Sequence, residues 1–316
     1  MIDVSVIVPT HDRSTWLCQS LRSVLWQRDV DLEVIVVDDG STDDTTGTVV
    51  KNIGDRRIEL IRHETPQGVS IARNHGAEEA AGEWLAFLDD DDLWAPTKLR
   101  RQLQAATTSG CNWAYGGCVN VDATLRILGG RPPPRPEDVA RLVFRSNIIP
   151  GGGSNVVVRR DTFQRVGPFD LRLTNTEDWE MWIRLAKQGP PAWVPEPLMA
   201  YRLHAAQSSL DIRAIFDGIS LIERRHSIKS ARGESYRWIA SSLLRTGRRS
   251  EAMRYLALAA IHGQAPGVAQ DVRAAFGWRL DRYLGRVPRT LEQLPYPGWT
   301  LRAQAWVNEL ATSAPC

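Results

Sequence analysis

The chain has 316 residues, of which 43% are hydrophobic and 24% charged, and its formal net charge is +2. This length and hydrophobic content suffice for one large domain or two smaller ones with a real core, and they exclude a globally disordered protein. The near-neutral charge gives no electrostatic case for nucleic acid as a partner.

The spacing of the cysteines and the hydropathy indicate the cellular compartment of the protein. Cys18, Cys111, Cys118 and Cys316 are widely spaced and form no Cys-x-x-Cys pair, which predicts neither a zinc site nor a disulfide framework. The N-terminus has no signal-peptide pattern, and no segment approaches the roughly 20 apolar residues that span a bilayer. We therefore predict a cytoplasmic protein.

Short apolar runs alternate with helical periodicity in the N-terminal part of the chain. The runs at residues 4–8, 34–37, 58–61 and 84–88 predict buried strands, with helices between them. This alternation predicts βαβ units, an α/β fold and a mostly parallel sheet. In such sheets ligands bind beyond the carboxyl ends of the strands, which is where three polar clusters fall.

The pattern changes in the second half. Residues 113–121 and 155–158 predict strands, and the glycines at 151–153 predict a flexible loop. Beyond residue 212 the strand signals vanish and helices rich in Ala, Leu and Arg follow. We predict one domain over residues 1–212, with halves at 1–110 and 111–212, and a helical C-terminal region over 213–316.

The turn after the first strand excludes two classes of nucleotide-binding protein. It reads PTHDR and contains neither GxGxxG nor GxxxxGK[ST]. A dinucleotide-dependent oxidoreductase and a P-loop NTPase are therefore disfavoured.

Four carboxylates, Asp89, Asp90, Asp91 and Asp92, follow the apolar run at 84–88. Adjacent carboxylates repel one another, so the group is costly unless a cation compensates it. A helix cap explains one Asp, and four favour a hard divalent cation bound through oxygen. Asp92 is the candidate for the residue that turns the chain toward the next helix.

Two further clusters lie near this edge of the predicted sheet. Asp38 and Asp39 end the second strand, where a carboxylate can accept a hydrogen bond from a nucleotide base or ribose, or can simply stabilise a turn. Arg73 shares a helical stripe with Val69 and Gly76, so it points toward the sheet and needs an anionic partner. A strand-end Asp or a bound nucleotide would serve.

Trp179, Trp182, Ile183 and Ala186 recur at helical spacing. They predict a helix with an aromatic face and with Glu177 and Asp178 in its first turn. The helix macrodipole stabilises acidic residues there, and the same field is expected to keep Asp178 ionised, as a general base requires. His204 ends the sequence YRLH; a lone His is more often structural than a ligand.

Together these motifs resemble the family 2 glycosyltransferases in order and spacing. The resemblance rests on VIVPT at 6–10, VVDDGSTD at 36–43, GVSIARN at 68–74, FLDDDDLW at 87–94 and EDWE at 177–180, and it covers residues 3–210. It implies a GT-A fold and a non-processive, inverting enzyme that uses a nucleoside-diphosphate sugar of the UDP, GDP or TDP type.

The resemblance also implies residue roles. Thr10 and Asp39 would contact the nucleotide base, Arg73 the nucleotide and Asp90 the ribose, and Pro9 would also belong to the nucleotide-binding site. Asp91 would ligate Mn²⁺ or Mg²⁺, with Asp89 completing the DxD pattern and His204 near the metal or diphosphate. Asp178 would deprotonate the acceptor hydroxyl. A processive enzyme would carry Gln-x-x-Arg-Trp, whereas Glu234 stands at the first position here.

The acceptor and two rival functions stay open. Arginines interleave with apolar residues after residue 220, which fits solvated helix faces, or contact with the inner face of an anionic membrane or with a lipid-linked acceptor. A sugar-nucleotide nucleotidyltransferase would need a glycine-rich basic loop after the first strand. A catalytically silent sugar-nucleotide-binding or scaffold protein would use its acidic clusters only as helix caps.

Overall fold

A computed structural model describes residues 2–204, 211–245, 247–269 and 296–312. Its strands are β1 (Val4–Thr10), β2 (Leu32–Asp38), β3 (Ile58–Arg62), β4 (Trp84–Phe87), β5 (Leu93–Trp94), β6 (Trp113–Val121), β7 (Ile127–Arg131), β8 (Val157–Arg159) and β9 (Ala192–Arg202). Its helices are α1 (Ser14–Leu25), α2 (Thr45–Ile53), α3 (Val69–Glu79), α4 (Lys98–Ser109), α5 (Pro136–Leu142), α6 (Arg160–Val166), α7 (Glu177–Gln188), α8 (Ile212–His226), α9 (Arg232–Arg245), α10 (Arg249–Ala259) and α11 (Pro297–Thr312).

The strands form one nine-stranded sheet in the order β3-β2-β1-β4-β8-β6-β9-β5, with β7 paired to β6. β3, β2, β1 and β4 are parallel, which confirms the predicted α/β organisation of the first half. The strands β5, β7 and β8 pair antiparallel with their neighbours, so the sheet as a whole is mixed. β1 lies between β2 and β4, and the carboxyl ends of these three strands are therefore adjacent.

Apolar clusters cover both faces of the sheet. Helix α3 lies close on one face because it carries small residues: a Cβ added at Gly76 would come within 2.6 Å of Ile7 Cγ2. This close approach brings the buried face of α3, including Arg73, against the strand ends. Helix α7 contributes Trp179 and Trp182 to the same core.

The C-terminal helices share cores with the sheet domain. Ile215 and Ile219 of α8 belong to the same apolar cluster as Trp182. Trp299 of α11 lies over a glycine surface on the β6-β7 pair, since a Cβ at Gly130 would meet its ring at 2.7 Å. The predicted boundary near residue 212 stays a prediction, and part of the predicted helical region lies outside the described residues.

Two further findings concern the hydropathy of the helices and the cysteines. In the described part of the chain, no helix is long and apolar enough to cross a membrane. Cys111 and Cys118 are free thiols.

Candidate active site

The three strand-end clusters meet, as the sequence predicted. The Thr10 hydroxyl at the end of β1 donates to Asp90 Oδ2 at 2.8 Å. The backbone N–H of Asp39 donates to the carbonyl of Thr10 at 2.9 Å. Thr10, Asp39 and Asp90 are all buried, so a ligand at this edge of the sheet would meet fixed polar groups.

Asp39 is held by three hydrogen bonds. His63 Nδ1 and the Gln67 N–H both lie near Oδ1, at 2.8 Å and 2.9 Å, and the Gly68 N–H donates to Oδ2 at 2.7 Å. Burial would raise the pKa of this carboxyl, but the hydrogen bonds from His63 and the two amides lower it below its ordinary value. Asp39 is therefore an anionic acceptor.

Asp90 and Asp91 share a cation that sequence reasoning missed. Arg13 Nη1 lies 3.3 Å from Asp90 Oδ1 and 3.0 Å from Asp91 Oδ2. Burial and the neighbouring charge of Asp91 nevertheless raise the pKa of Asp90 to about 7. His204 Nε2 lies 2.8 Å from Asp91 Oδ2, so His204 reaches the acidic run from the end of β9.

Asp92 has a different role from the one predicted. It is fully buried and accepts the backbone N–H of Arg202 at 3.0 Å, which ties the acidic run to β9. Helix α4 begins only at Lys98, after Thr97 and without a side-chain cap. The prediction that Asp92 caps the next helix is wrong, because the short strand β5 intervenes.

Arg73 joins the strand ends to helix α7. Its side chain is buried, as predicted, and its guanidinium donates to Asp89 Oδ1 at 2.6 Å and to Glu177 Oε1 at 2.8 Å. The anionic partner expected from the sequence is therefore a strand-end Asp together with the residue that precedes Asp178. Its role toward a nucleotide stays a prediction.

Asp178 lies in the first turn of α7, partly buried. Its Oδ1 accepts the Trp179 N–H at 2.6 Å, and its Oδ2 accepts from Asn147 Nδ2 at 3.1 Å. Burial, and next the charge of Glu177, raise the pKa of Asp178 to about 7. The expectation that the helix field keeps Asp178 fully ionised at neutral pH is wrong, because burial and the charge of Glu177 outweigh the favourable effects and leave the carboxyl only partly ionised near pH 7.

The glycines at 151–153 pack against this carboxylate. Gly151 and Gly152 have φ angles of +79° and +56°, which favour glycine, and a Cβ at Gly152 would lie 3.0 Å from Asp178 Oδ2. A Cβ at Gly153 would lie 3.2 Å from Arg73 Nη2. The prediction of a flexible loop is wrong: these residues form a tight turn whose missing side chains leave room for Asp178 and Arg73.

The predicted metal ligands are only partly brought together. Asp91 and His204 are in contact, and the buried His204 Nδ1 has no partner among the described residues. Asp89 is engaged by Arg73 instead. Across the described residues, no three potential ligands gather into a metal cluster.

The charge balance and donor chemistry nevertheless suit a divalent cation. Six carboxylates lie in this region, those of Asp89 to Asp92, Glu177 and Asp178. Arg13 and Arg73 pair with four of them, and the Arg202 guanidinium donates to the backbone carbonyl of Asp91 at 2.7 Å. Burial, and next the negative charge of Asp91, raise the pKa of Asp90. Carboxylate oxygen and imidazole nitrogen are ligands of Mn²⁺, so the Asp91 and His204 pair fits such an ion.

The mixed sheet and its helices have the GT-A glycosyltransferase fold, as the family match and a solved structure show. Residues 5–167 match the family described as "Glycosyl transferase family 2", and residues 138–228 match "Glycosyltransferase like family 2". The first match spans more than half of the chain, which therefore belongs to glycosyltransferase family 2 and is a transferase.

Two of the relatives that this chain matches are named as glycosyltransferases. Escherichia coli "UDP-Glc:alpha-D-GlcNAc-diphosphoundecaprenol beta-1,3-glucosyltransferase WfgD" is 28% identical over 207 residues, 66% of this chain and 79% of the relative. The putative teichuronic acid biosynthesis glycosyltransferase TuaG of Bacillus subtilis is 32% identical, over 63% of this chain and 79% of the relative.

Among solved structures, S. aureus TarS 1-349 in complex with UDP-GlcNAc has a TM-score of 0.59 at 16% identity and covers 91% of this chain and 93% of its own. The Pyrobaculum calidifontis mannosyltransferase PcManGT in complex with GDP-Man and Mn²⁺ has a TM-score of 0.55 at 20% identity, covering 98% and 85%. At these identities the likeness shows the fold.

Proposed function

We propose that this family 2 enzyme is a metal-dependent, inverting glycosyltransferase that moves one sugar from a nucleoside-diphosphate sugar to an acceptor hydroxyl. The observation that carries the proposal is the Arg73 bridge. One buried guanidinium joins Asp89, at the predicted donor side, to Glu177, next to the predicted base Asp178. The groups proposed for the two ends of the displacement are thus linked by one buried guanidinium.

The donor side is assigned to the strand ends. Pro9, Thr10 and Asp39 are proposed to contact the base, and Asp90 the ribose. Thr10 and Asp39 are already hydrogen-bonded to one another through the backbone, so they present a rigid surface to a nucleotide. Arg73 would hold this surface against α7.

Asp91 and His204 are proposed to hold the divalent cation, with Asp89 beside them. When bound, Mn²⁺ or Mg²⁺ would supply Lewis-acid stabilisation to the negative charge that develops on the leaving diphosphate. Arg13 already neutralises part of the charge on Asp91 and would complement the ion there. Nothing further in the proposal depends on the geometry of the ion.

Asp178 is proposed to take the proton of the acceptor hydroxyl. A carboxylate whose pKa is about 7 is a stronger base than an ordinary Asp and is still substantially ionised near neutral pH. Attack by the hydroxyl from the side opposite the leaving diphosphate inverts the anomeric centre in one step. No covalent intermediate on the enzyme is required.

The acceptor is proposed to be a hydroxyl of a lipid-linked saccharide in polysaccharide or glycolipid synthesis. The printed name of one relative includes such an acceptor, a diphosphoundecaprenol-linked sugar. On this chain the C-terminal helices supply a surface that suits a membrane: Met253 and Ile261 are 49% and 78% exposed, and Arg249 and Arg254 are exposed beside them.

Co-sedimentation with vesicles tests the membrane contact. We expect binding to vesicles that contain anionic phospholipid at low salt, and weaker binding by an Arg254→Glu variant. No co-sedimentation at low salt would refute this part of the proposal without touching the transfer reaction.

A thermal-shift screen tests the donor. Ligands that bind the native state raise its melting temperature, so one of the UDP, GDP, TDP or CDP sugars should raise it, and more in Mn²⁺ than in EDTA. No response to any of them would contradict the proposal. Formation of a nucleotide-sugar and pyrophosphate from a nucleoside triphosphate and a sugar 1-phosphate would favour the nucleotidyltransferase. Binding of a nucleotide-sugar without any transfer would favour the silent binder.

A further inference from the structure

Two histidines form a hydrogen-bonded row with Asp39, in the order Asp39, His63, His75. His63 follows β3 and His75 lies on α3, and His63 Nε2 is 2.9 Å from His75 Nδ1, while His63 Nδ1 is 2.8 Å from Asp39 Oδ1. The two rings are stacked, with centroids 5.2 Å apart and planes 6° from parallel. His63 is buried and His75 partly buried, so water competes little with the inner contact.

The row determines which nitrogen carries each proton. An ionised carboxylate only accepts hydrogen bonds, so His63 Nδ1 must be the donor to Asp39. In the neutral imidazole, His63 Nε2 then carries a lone pair, and it accepts a hydrogen bond from the N–H at His75 Nδ1. His75 therefore holds His63 in the tautomer that donates to Asp39.

This donor leaves Asp39 with little capacity to accept more. A carboxylate has about four acceptor positions, two on each oxygen. On Oδ1 both are used, by His63 and by the Gln67 N–H, and on Oδ2 one is used, by the Gly68 N–H. A single position on Oδ2 remains.

One remaining position discriminates between bases. Uracil and thymine present one N–H, at N3, between two carbonyl groups. Guanine presents two neighbouring donors, N1–H and N2–H, and a carboxylate that binds both needs a free position on each oxygen. Oδ1 of Asp39 has none, so a two-donor edge leaves one buried N–H unpaired, which is costly.

We propose that His63 and His75 are positioning residues that set base specificity by occupying Oδ1 of Asp39, so that the site takes uridine or thymidine diphosphates in preference to guanosine diphosphate. This inference rests on the proposed nucleotide-sugar site and names its substrate class.

Calorimetric titration of the full chain with UDP and with GDP in Mn²⁺ tests it. We expect the wild type to bind UDP at least about tenfold more tightly than GDP, the equivalent of one unpaired hydrogen bond. His63→Ala should weaken UDP binding and bring the ratio of the two dissociation constants close to unity, because it frees Oδ1. His63→Asn, which can still donate an N–H, should keep the preference.

The second histidine and a control complete the experiment. His75→Ala, at a partly exposed position, should reduce the preference through the lost tautomer, and it provides the test if His63→Ala does not fold. His262→Ala, which removes an exposed histidine in the C-terminal helices, should change neither constant. Loss of folding would lower the fraction of active protein but would not change the ratio.

Two results would overturn the inference: a wild type that binds GDP as tightly as UDP, or a folded His63→Ala or His75→Ala variant that keeps the full preference. A wild type that binds none of UDP, GDP, TDP and CDP would contradict the proposed function itself, and this inference with it. Binding of both nucleotides with equal affinity would leave the proposed function standing and refute only the role of the histidines.

Discussion

Replacing Asn147 by Ala should move the pH dependence of sugar transfer upward. Asn147 Nδ2 donates to Asp178 Oδ2 at 3.1 Å, and this hydrogen bond lowers the pKa of Asp178 against the larger effect of burial. Asp178 must be deprotonated to act as the base, so the rate should rise with pH and level off above about 7. Without Asn147 the carboxyl holds its proton to higher pH.

The size of the shift follows from the exposure of Asn147. A hydrogen bond to a charged group contributes about 1.5 kcal/mol at the low end of its range, and one pKa unit corresponds to about 1.4 kcal/mol. Asn147 is exposed, so water can replace part of the bond and one pH unit is an upper bound. At pH 6 the variant should be up to about tenfold slower, and at pH 9 it should match the wild type.

The assay is the release of nucleoside diphosphate from the donor sugar, measured between pH 5.5 and pH 9.5 at saturating donor. Asn52→Ala, at an exposed position on α2, is the matched control and should leave the profile unchanged. If the pH range in which the transfer rate rises is the same in Asn147→Ala as in wild type, or lies at lower pH, the reasoning is refuted.

Three further substitutions test separate parts of the site. Asp91→Ala should abolish the effect of Mn²⁺ on nucleotide affinity. The control Asp43→Ala, which removes an exposed carboxylate, should preserve this effect. A wild type whose nucleotide dissociation constant is the same with and without Mn²⁺ would contradict the assignment. Asp178→Asn should raise the melting temperature relative to wild type more at pH 8 than at pH 5. Because the pKa of Asp178 is raised in the folded state, ionisation of Asp178 destabilises the fold as the pH rises from the pKa of the unfolded chain to about 7. An equal difference in melting temperature between variant and wild type at both pH values would exclude this. Gly152→Ala should lower both the melting temperature and the transfer rate, since a non-glycine residue at φ +56° costs about 1 kcal/mol and its Cβ would press on Asp178 Oδ2; an unchanged rate would show that the turn does not shape the base.

The parts of the fold that local patterns determine were predictable. The parallel strands and α3 follow from apolar runs and small residues at fixed spacing, and these place Thr10, Asp39 and Arg73 at one edge of the sheet. Helix α7, with Asp178 in its first turn, follows from its aromatic periodicity. The positions of residues within a single strand or helix can therefore be predicted without the structure.

The contacts between distant elements were not predictable. Arg13 reaches Asp91 across 78 positions of sequence, and no periodicity marks it. The role of Asp92 depends on the pairing of β5 with β9, which no local pattern indicates. Gly152 carried a signal, a run of three glycines, but its meaning depends on the nearness of Asp178. The raised pKa of Asp178 likewise depends on burial, which only the tertiary fold creates.

The central claim, that Asp178 is the base of a nucleotide-sugar transferase and not a structural cap, is tested most directly by Asp178→Asn. Release of nucleoside diphosphate and binding of the same nucleotide in Mn²⁺ are measured on one preparation. We expect transfer to be abolished and the dissociation constant of the nucleotide to stay within about threefold of wild type, since Asp178 contacts none of the proposed base-binding residues. Equal loss of transfer and of binding, or transfer at the wild-type rate, would contradict the claim.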